Sequence, residues 1–256
     1  MLSNGFCPFI LWFFIVYCFL KKKVNGDCMK NITLDIFSTP RSLYFDDIYY
    51  NVDGGLAEKY YVFIDGNNLP QRFENSEKNF NILELGFGTG LSFLLTAIEF
   101  AKFDTPYELN FTSTELYPLD INEIEIALRN WTELYSNKIT QTFLDLYKKS
   151  DLTKDIKIKL GNVNLHILVG DARETLKTVN EMQDCFYLDG FAPSKNPVMW
   201  GENVFSQVKR LAAENSTATT YSVSRLVKDI LTFAGFKYSK RKGFGKKREM
   251  IIGIKK

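Results

Sequence analysis

Residues Phe80–Gly90 read Phe-Asn-Ile-Leu-Glu-Leu-Gly-Phe-Gly-Thr-Gly, and an apolar, helix-compatible stretch, Leu91–Phe103, follows them. An apolar run that ends in closely spaced glycines and passes into such a stretch predicts a strand, a tight turn and a helix. Glycine lets the backbone take positive φ and lets a ligand approach the peptide amides with no Cβ in the way. The loop therefore predicts a nucleotide-like ligand held by Glu84, Gly86, Phe87, Gly88, Thr89 and Gly90; a tight turn with no ligand is the plainer alternative. Its spacing is G-x-G-x-G, whereas the dinucleotide fingerprint places the third glycine one residue later, which weakens a nicotinamide or flavin reading.

Outward from this stretch the short apolar runs repeat. Leu109–Glu115 (LNFTSTE), Val163–Val169 (VNLHILV), Cys185–Leu188 (CFYL) and Thr217–Val223 (TATTYSV) are strand-like, and the segments between them can hold helices. That alternation predicts an α/β fold, a mostly parallel sheet with helices on both faces. Residues 237–254 differ: two runs flank Gly243-Phe244-Gly245, predicting an antiparallel C-terminal edge. Before Phe80, aromatic alternation (Leu43, Phe45; Tyr60, Tyr61, Phe63) between turn signals predicts a β-rich N-terminal lead-in over 32–73. The amphipathic, charged segment of about 120–160 predicts an insertion of two helices.

In such sheets, carboxylates at the ends of successive parallel strands face the crevice where ligands bind. Glu115, ending the strand after the glycine loop, is placed to accept hydrogen bonds from ribose hydroxyls. With no pyrophosphate to hold, the loop suits the amino-acid part of S-adenosylmethionine. Asp171, with Ala172 beside it in Gly-Asp-Ala-Arg, is a candidate for the adenine amino group, or else an N-cap for the helix that follows. After the next strand comes Tyr187-Leu188-Asp189-Gly190-Phe191-Ala192-Pro193-Ser194-Lys195-Asn196-Pro197. A carboxylate to orient a nitrogen, an aromatic face to stack a base and a proline-fixed turn are what an amine substrate requires. Asp189 and Phe191 are the predicted catalytic pair, with Pro193, Lys195 and Asn196 on the substrate side.

Composition narrows the chemistry. The 256 residues are 45% hydrophobic and 24% charged, which excludes a disordered or fibrous chain. The single histidine, His166, alternates with Leu165 and Ile167 and reads as a structural strand residue, so histidine-based triads and metal sites lose their central member. No metal is expected. Cys7, Cys18, Cys28 and Cys185 form no C-x-x-C pair, and only Cys185 lies beyond residue 28, which fits a reducing cytoplasm. Net charge is +2, yet residues 237–256 hold nine lysines and arginines against Glu249, so that segment carries +8 and the rest −6. Lys246, Lys247 and Arg248 beside its glycine turn are candidate phosphate contacts; a solvated face with no partner is the alternative.

Residues 1–28 break from the remainder. Gly5–Leu20 is uncharged and precedes Lys21-Lys22-Lys23; as a helix it spans about 24 Å, short of the roughly 30 Å hydrocarbon core. Charges after the apolar run and no small-residue cleavage site argue against a secretory signal. A hydrophobic extension, and a true start at Met29 with 29–256 as one domain, both stay open; a membrane role depends on the first.

In order along the chain, GFGTGLSFL, TSTELYPL, GDARETL, LDGFAPSKNPVMW and GFGKKREM resemble the methyltransferase domain of the bacterial enzymes that complete 5-methylaminomethyl-2-thiouridine at the tRNA wobble position. The resemblance runs from near Ser42 to Gly253. It implies a Rossmann-like class I S-adenosylmethionine-dependent methyltransferase that methylates the amine of 5-aminomethyl-(2-thio)uridine, with the tRNA anticodon stem-loop as partner and a cytoplasmic location. It further implies the stand-alone form, without the flavin-dependent domain often fused to this one. One departure is Ser222–Asp229 (SVSRLVKD), where only Lys228 stands for the family's paired arginines. The glycine loop with Glu115 also motivates a nicotinamide-dependent oxidoreductase, and the apolar run with the cationic tail a membrane-tethered tRNA-binding module.

Overall fold

In the computed structural model, which describes residues 31–35, 38–51 and 54–256, eight strands form the central sheet. They are β3 (Phe80–Leu85), β4 (Leu109–Glu115), β5 (Ile156–Leu160), β6 (Val163–Val169), β7 (Gln183–Tyr187), β8 (Ala212–Thr220), β9 (Phe236–Lys242) and β10 (Glu249–Lys255), in the order β5-β6-β4-β3-β7-β8-β10-β9. The five strands from β6 to β8 are parallel. Both edges are antiparallel: β5 on β6, and the β9–β10 hairpin on β8. Strand order reverses between β3 and β7, and the ends of those two strands are where a doubly wound sheet opens a crevice.

Alternation along the strands builds two cores. Phe186 and Leu188 join Leu83 and Leu85 in one cluster, together with Val204, Phe205 and Val208 of α8 (Glu202–Leu211) and Val227 and Leu231 of α9 (Arg225–Phe233). Tyr187, between them, points the other way and packs on Phe63 and Phe111. There α3 (Leu91–Phe100) contributes Phe93, against Phe111 and Phe143. Phe143 lies on α6 (Lys138–Tyr147), whose buried Thr140, Phe143, Leu144 and Tyr147 fall at helical spacing on one face.

Several expectations need correction. The lead-in is only briefly β: β1 (Ile32–Leu34) pairs antiparallel with β2 (Pro40–Ser42) as a separate two-stranded sheet. Then α1 (Gly55–Lys59) runs into a π-helical turn, Tyr60–Asp65, and α2 (Leu69–Glu74) follows. Tyr60–Ile64 are β-forming residues, but Val62, Phe63 and Ile64 are buried in succession, so packing overrides propensity. The Asn67 side chain donates to the Phe63 carbonyl (2.9 Å) and to Thr219 Oγ1 (2.7 Å), fastening this turn to the sheet. The 120–160 insertion holds three helices rather than two, α4 (Ile121–Leu128), α5 (Thr132–Ser136) and α6, and its last residues form β5. Lys157 and Lys159 alternate with buried Ile156 and Ile158 there. Asp120 caps α4 in a capping box with Glu123.

The apolar run Gly5–Leu20, Cys7, Cys18, Cys28 and Met29 lie outside the described residues. Among the described residues no helix is long and apolar enough to cross a membrane, and no group of histidine, cysteine, aspartate or glutamate side chains could hold a metal ion. His166 Nε2 stands 3.6 Å from Asp155, and burial holds its imidazole below the usual pKa.

Candidate active site

The glycine loop turns as its composition demands. Gly86, Gly88 and Gly90 have φ of 92°, 55° and 75°, the left-handed region that glycine enters without steric cost. A Cβ on Gly88 would stand 2.9 Å from the Tyr49 ring, and one on Gly90 2.9 Å from the Phe87 ring, so close approach constrains both as well. Gly86 and Phe87 donate their amides to the Thr114 carbonyl at 3.1 and 3.0 Å. The Glu115 carboxylate accepts from the amides of Gly88 (2.8 Å) and Tyr117 (2.9 Å), tying the loop to the end of β4. Burial pushes the Glu115 carboxyl up in pKa against those amide bonds.

Beside the loop lies a cavity of about 310 Å³, within the usual size of a small-molecule site. Gly86, Phe87, Gly88, Thr89, Glu115, Asp171, Ala172, Asp189, Phe191 and Asn196 all line it. Asp171 takes the capping role: it accepts from the Arg173 amide (2.9 Å) at the start of α7 (Ala172–Thr175). Its ion pair with the Arg173 side chain holds its carboxyl below the usual range.

Other expected residues lie elsewhere. Glu84 is not on the cavity wall: register pairs it with Ser113 and Tyr187 inside the sheet, and strand alternation buries it to 1% exposure. Ser113 Oγ donates to it at 2.8 Å. Burial, then the neighbouring charge of Asp189, pushes the Glu84 carboxyl well above its usual pKa. Gly90 caps α3 behind the loop. Pro193 stands in a turn outside the lining residues, and the exposed Lys195 pairs with Asp46 at 3.0 Å, which Arg41 also holds. Lys246, Lys247 and Arg248 are exposed between β9 and β10; Lys247 bonds Glu58 and lies over the Tyr221 ring at 4.8 Å.

Asp189 follows β7 and is the buried charge of the cavity. Ser92 Oγ donates to its Oδ2 at 2.9 Å, and Lys59 Nζ hydrogen-bonds both of its oxygens. Burial pushes its carboxyl up, while the Lys59 charge pulls it down. The next residues are pinned by side chains from three directions. Tyr221 donates to the Gly190 carbonyl (2.9 Å), Trp200 Nε1 to the Phe191 carbonyl (2.9 Å), and the Ala192 amide to Asp47 (3.1 Å). The Phe191 ring packs on Phe45 at 4.9 Å and Tyr49 at 5.1 Å between centroids. An acid and an aromatic ring are thereby fixed at one end of a cavity whose other parts are the glycine loop and Glu115.

Sequence reasoning singled out neither Lys59, Ser92, Tyr49 nor Tyr221, nor the stacked pair Tyr44–Tyr117 at 4.0 Å, although all six line the cavity. Ser92, Tyr117 and Tyr221 stand inside quoted stretches (GFGTGLSFL, TSTELYPL, TATTYSV) without having been assigned a role.

Comparison with known proteins completes this description. Residues 132–256 match a family described as S-adenosyl-L-methionine-dependent methyltransferase. Over 220 residues, 84% of this chain and 33% of the relative, the sequence is 43% identical to a protein of Leptospira borgpetersenii serovar Hardjo-bovis (strain JB197) named tRNA 5-methylaminomethyl-2-thiouridine biosynthesis bifunctional protein MnmC. The protein of that name from Legionella pneumophila subsp. pneumophila (strain Philadelphia 1) is 38% identical over 231 residues, 83% of this chain and 34% of the relative. Over residues 132–256 the chain belongs to the S-adenosyl-L-methionine-dependent methyltransferases. It spans about one third of the length of these curated relatives. The crystal structure of MNMC2 from Aquifex aeolicus shares its fold, with a TM-score of 0.68 and 20% identity over 98% of this chain and 78% of that one. The family match makes S-adenosyl-L-methionine, and not a nicotinamide dinucleotide, the cofactor. The residues fit that cofactor: Gly86 and Gly88, both left-handed, line the cavity, and the Glu115 carboxylate reaches it too.

Proposed function

We propose that the chain methylates the primary amine of 5-aminomethyl-(2-thio)uridine at the wobble position of tRNA, using S-adenosyl-L-methionine. The observation that carries this reading is Asp189: a carboxylate 5% exposed, on the wall of the cavity that holds the cofactor loop, beside an aromatic ring backed by two others. The relatives are named for biosynthesis of the corresponding methylaminomethyl nucleoside.

Gly86 to Thr89 would hold the amino-acid part of the cofactor, Glu115 its ribose hydroxyls, and Asp171 with Ala172 its adenine. Bound S-adenosyl-L-methionine supplies a methyl group already activated on a sulfonium. The chain's own residues then act chiefly by positioning, a large term in such reactions. Asp189 accepts a hydrogen bond from the substrate nitrogen and aims its lone pair. Phe191, held by Trp200 through its backbone, stacks on the uracil. Asn196 stands at the rim of the cavity, and the exposed Lys246, Lys247 and Arg248 meet phosphates of the anticodon stem-loop. The reading places the chain in the cytoplasm with its RNA.

The test is incubation of the full chain with methyl-labelled S-adenosyl-L-methionine and an anticodon stem-loop carrying 5-aminomethyluridine, followed by mass spectrometry of the nucleosides. Gain of one methyl group on the aminomethyl nitrogen is expected. Binding of S-adenosylhomocysteine with no methylation of this RNA would overturn the substrate assignment.

A further inference from the structure

The ion pair inside the cavity raises a question about the proton on the substrate nitrogen. A primary alkylamine resembles the lysine side chain, whose pKa is about 10.4, so near neutral pH it arrives as an ammonium with no lone pair to attack. An isolated buried carboxylate would bind that ammonium and hold the proton on, because a nearby opposite charge favours the charged form. Asp189 alone would orient the nitrogen and at the same time disarm it.

The structure answers with Lys59. Its ammonium bonds both oxygens of Asp189, with side-chain exposures of 13% and 5%, so the pair is nearly dry. Lys59 Nζ also lies 5.4 Å from the centroid of Phe63, on the turn that follows its helix. The other polar and charged groups around Asp189 are accounted for. On α1, Glu58 pairs with Lys247 and not with Lys59, and its charge still pushes the Asp189 carboxyl up. From β3, Glu84 is pushed toward its neutral form; from α3, Ser92 donates a neutral hydrogen bond. Tyr221, after β8, has its hydroxyl on the Gly190 carbonyl, and Asp47 accepts from Ala192.

We propose that Lys59 is a positioning residue whose charge cancels that of Asp189, so that the site accepts the substrate nitrogen as a neutral amine. The inference rests on the amine-methylation reading above. On entry the ammonium gives its proton to water. The resulting amine keeps its lone pair for the methyl group and donates an N–H to the Asp189 carboxylate, which Lys59 holds ionised and in place. A second cation beside an amine lowers the amine's own pKa in the same sense.

The test compares the full chain with Lys59→Met and Lys59→Arg, each first shown to bind S-adenosylhomocysteine by calorimetry. Single-turnover methyl transfer to the 5-aminomethyluridine stem-loop, at saturating RNA, is followed against pH. Loss of the Lys59 charge raises the pKa of both Asp189 and the bound amine, so Lys59→Met should move the acidic limb of the profile upward by about one to three units. Lys59→Arg should leave the limb in place with a lower plateau. A uniform fall in rate with an unmoved limb in Lys59→Met would reduce Lys59 to a structural role, and a displaced limb in Lys59→Arg would exclude charge as the cause. The second arm needs no RNA. Ethylammonium chloride, titrated in the presence of S-adenosylhomocysteine, should bind Lys59→Met and neither the parent chain nor Lys59→Met/Asp189→Asn. If the parent chain never methylates the RNA, the substrate reading fails, and the ethylammonium arm alone decides: absence of binding to Lys59→Met overturns the role given to Lys59. Should Lys59→Met fail to fold, the limb position in Lys59→Arg decides.

Discussion

Two regions supply the cavity wall, and they are built differently. The carboxyl edge of the sheet contributes the glycine loop, Glu115, Asp171 and Asp189 from ends of strands that are buried throughout (β7), nearly so (β3) or at alternate positions (β4, β6). The N-terminal region from Asn31 to Asp65 contributes Tyr44, Phe45, Tyr49 and Lys59 from a three-residue hairpin, loops and a five-residue helix. Backbone ladders hold the first. Side chains hold much of the second: the buried Glu123 of α4 accepts the amides of Asn31 (2.6 Å) and Ile32 (3.2 Å), and Tyr50 donates to the Ala127 carbonyl at 2.6 Å. The difference assigns separate tasks. On the proposed reading, the sheet edge holds what every catalytic cycle shares, the cofactor, and the attached region adds the aromatic wall and the cation that suit the site to an amine.

That division can be broken or sharpened by substitution. The largest effect belongs to the core under the edge: Phe93→Ala, fully buried among Phe87, Phe111 and Phe143, should cost about 3–5 kcal/mol in urea unfolding. Tyr44→Ala, 56% exposed on the attached region and stacked on Tyr117, should cost at most about 1.5 kcal/mol. Next comes Glu115→Ala, which removes an acceptor holding two amides and facing the cofactor. Hydrogen bonds to charged groups contribute about 1.5–3 kcal/mol, so calorimetry should show S-adenosylhomocysteine binding about 10- to 100-fold weaker. Glu123→Ala releases the Asn31 and Ile32 amides and should cost about 2 kcal/mol; limited proteolysis should then cut first between residues 31 and 50, with the sheet intact. The smallest effect is expected at the hairpin turn. Replacing Lys246, Lys247 and Arg248 together by alanine should weaken tRNA binding and lower its log–log salt slope by up to about three, while S-adenosylhomocysteine affinity stays unchanged. The reduction should fall short of three because Lys247 already bonds Glu58. An unchanged slope would move the phosphate contacts to α4–α6.

How much of this was legible in the sequence follows the same line. The edge could be read because each strand is a compact apolar run and each carboxylate stands where the run stops, so Glu115, Asp171 and Asp189 reach one cavity as expected. Glu84 lies off that cavity because one residue of strand register separates the crevice from the interior of the sheet. The alternation of Ile156-Lys157-Ile158-Lys159 was a strand signal inside a segment read as helical. The attached region resisted because its residues are placed by contacts distant in sequence: Lys59 meets Asp189 across 130 residues and Asn31 meets Glu123 across 92. Periodicity carries no information about such pairs.

The most direct measurement places Asp189→Asn beside the parent chain in two assays, S-adenosylhomocysteine affinity by calorimetry and single-turnover methyl transfer to the 5-aminomethyluridine stem-loop. The carboxylate is conserved in shape and lost in charge. With cofactor binding assigned by the proposed reading to the glycine loop and Glu115, affinity should stay unchanged and transfer should slow by about 10²-fold or more. Transfer at the parent rate, or a loss of activity matched by an equal loss of cofactor affinity, would contradict it.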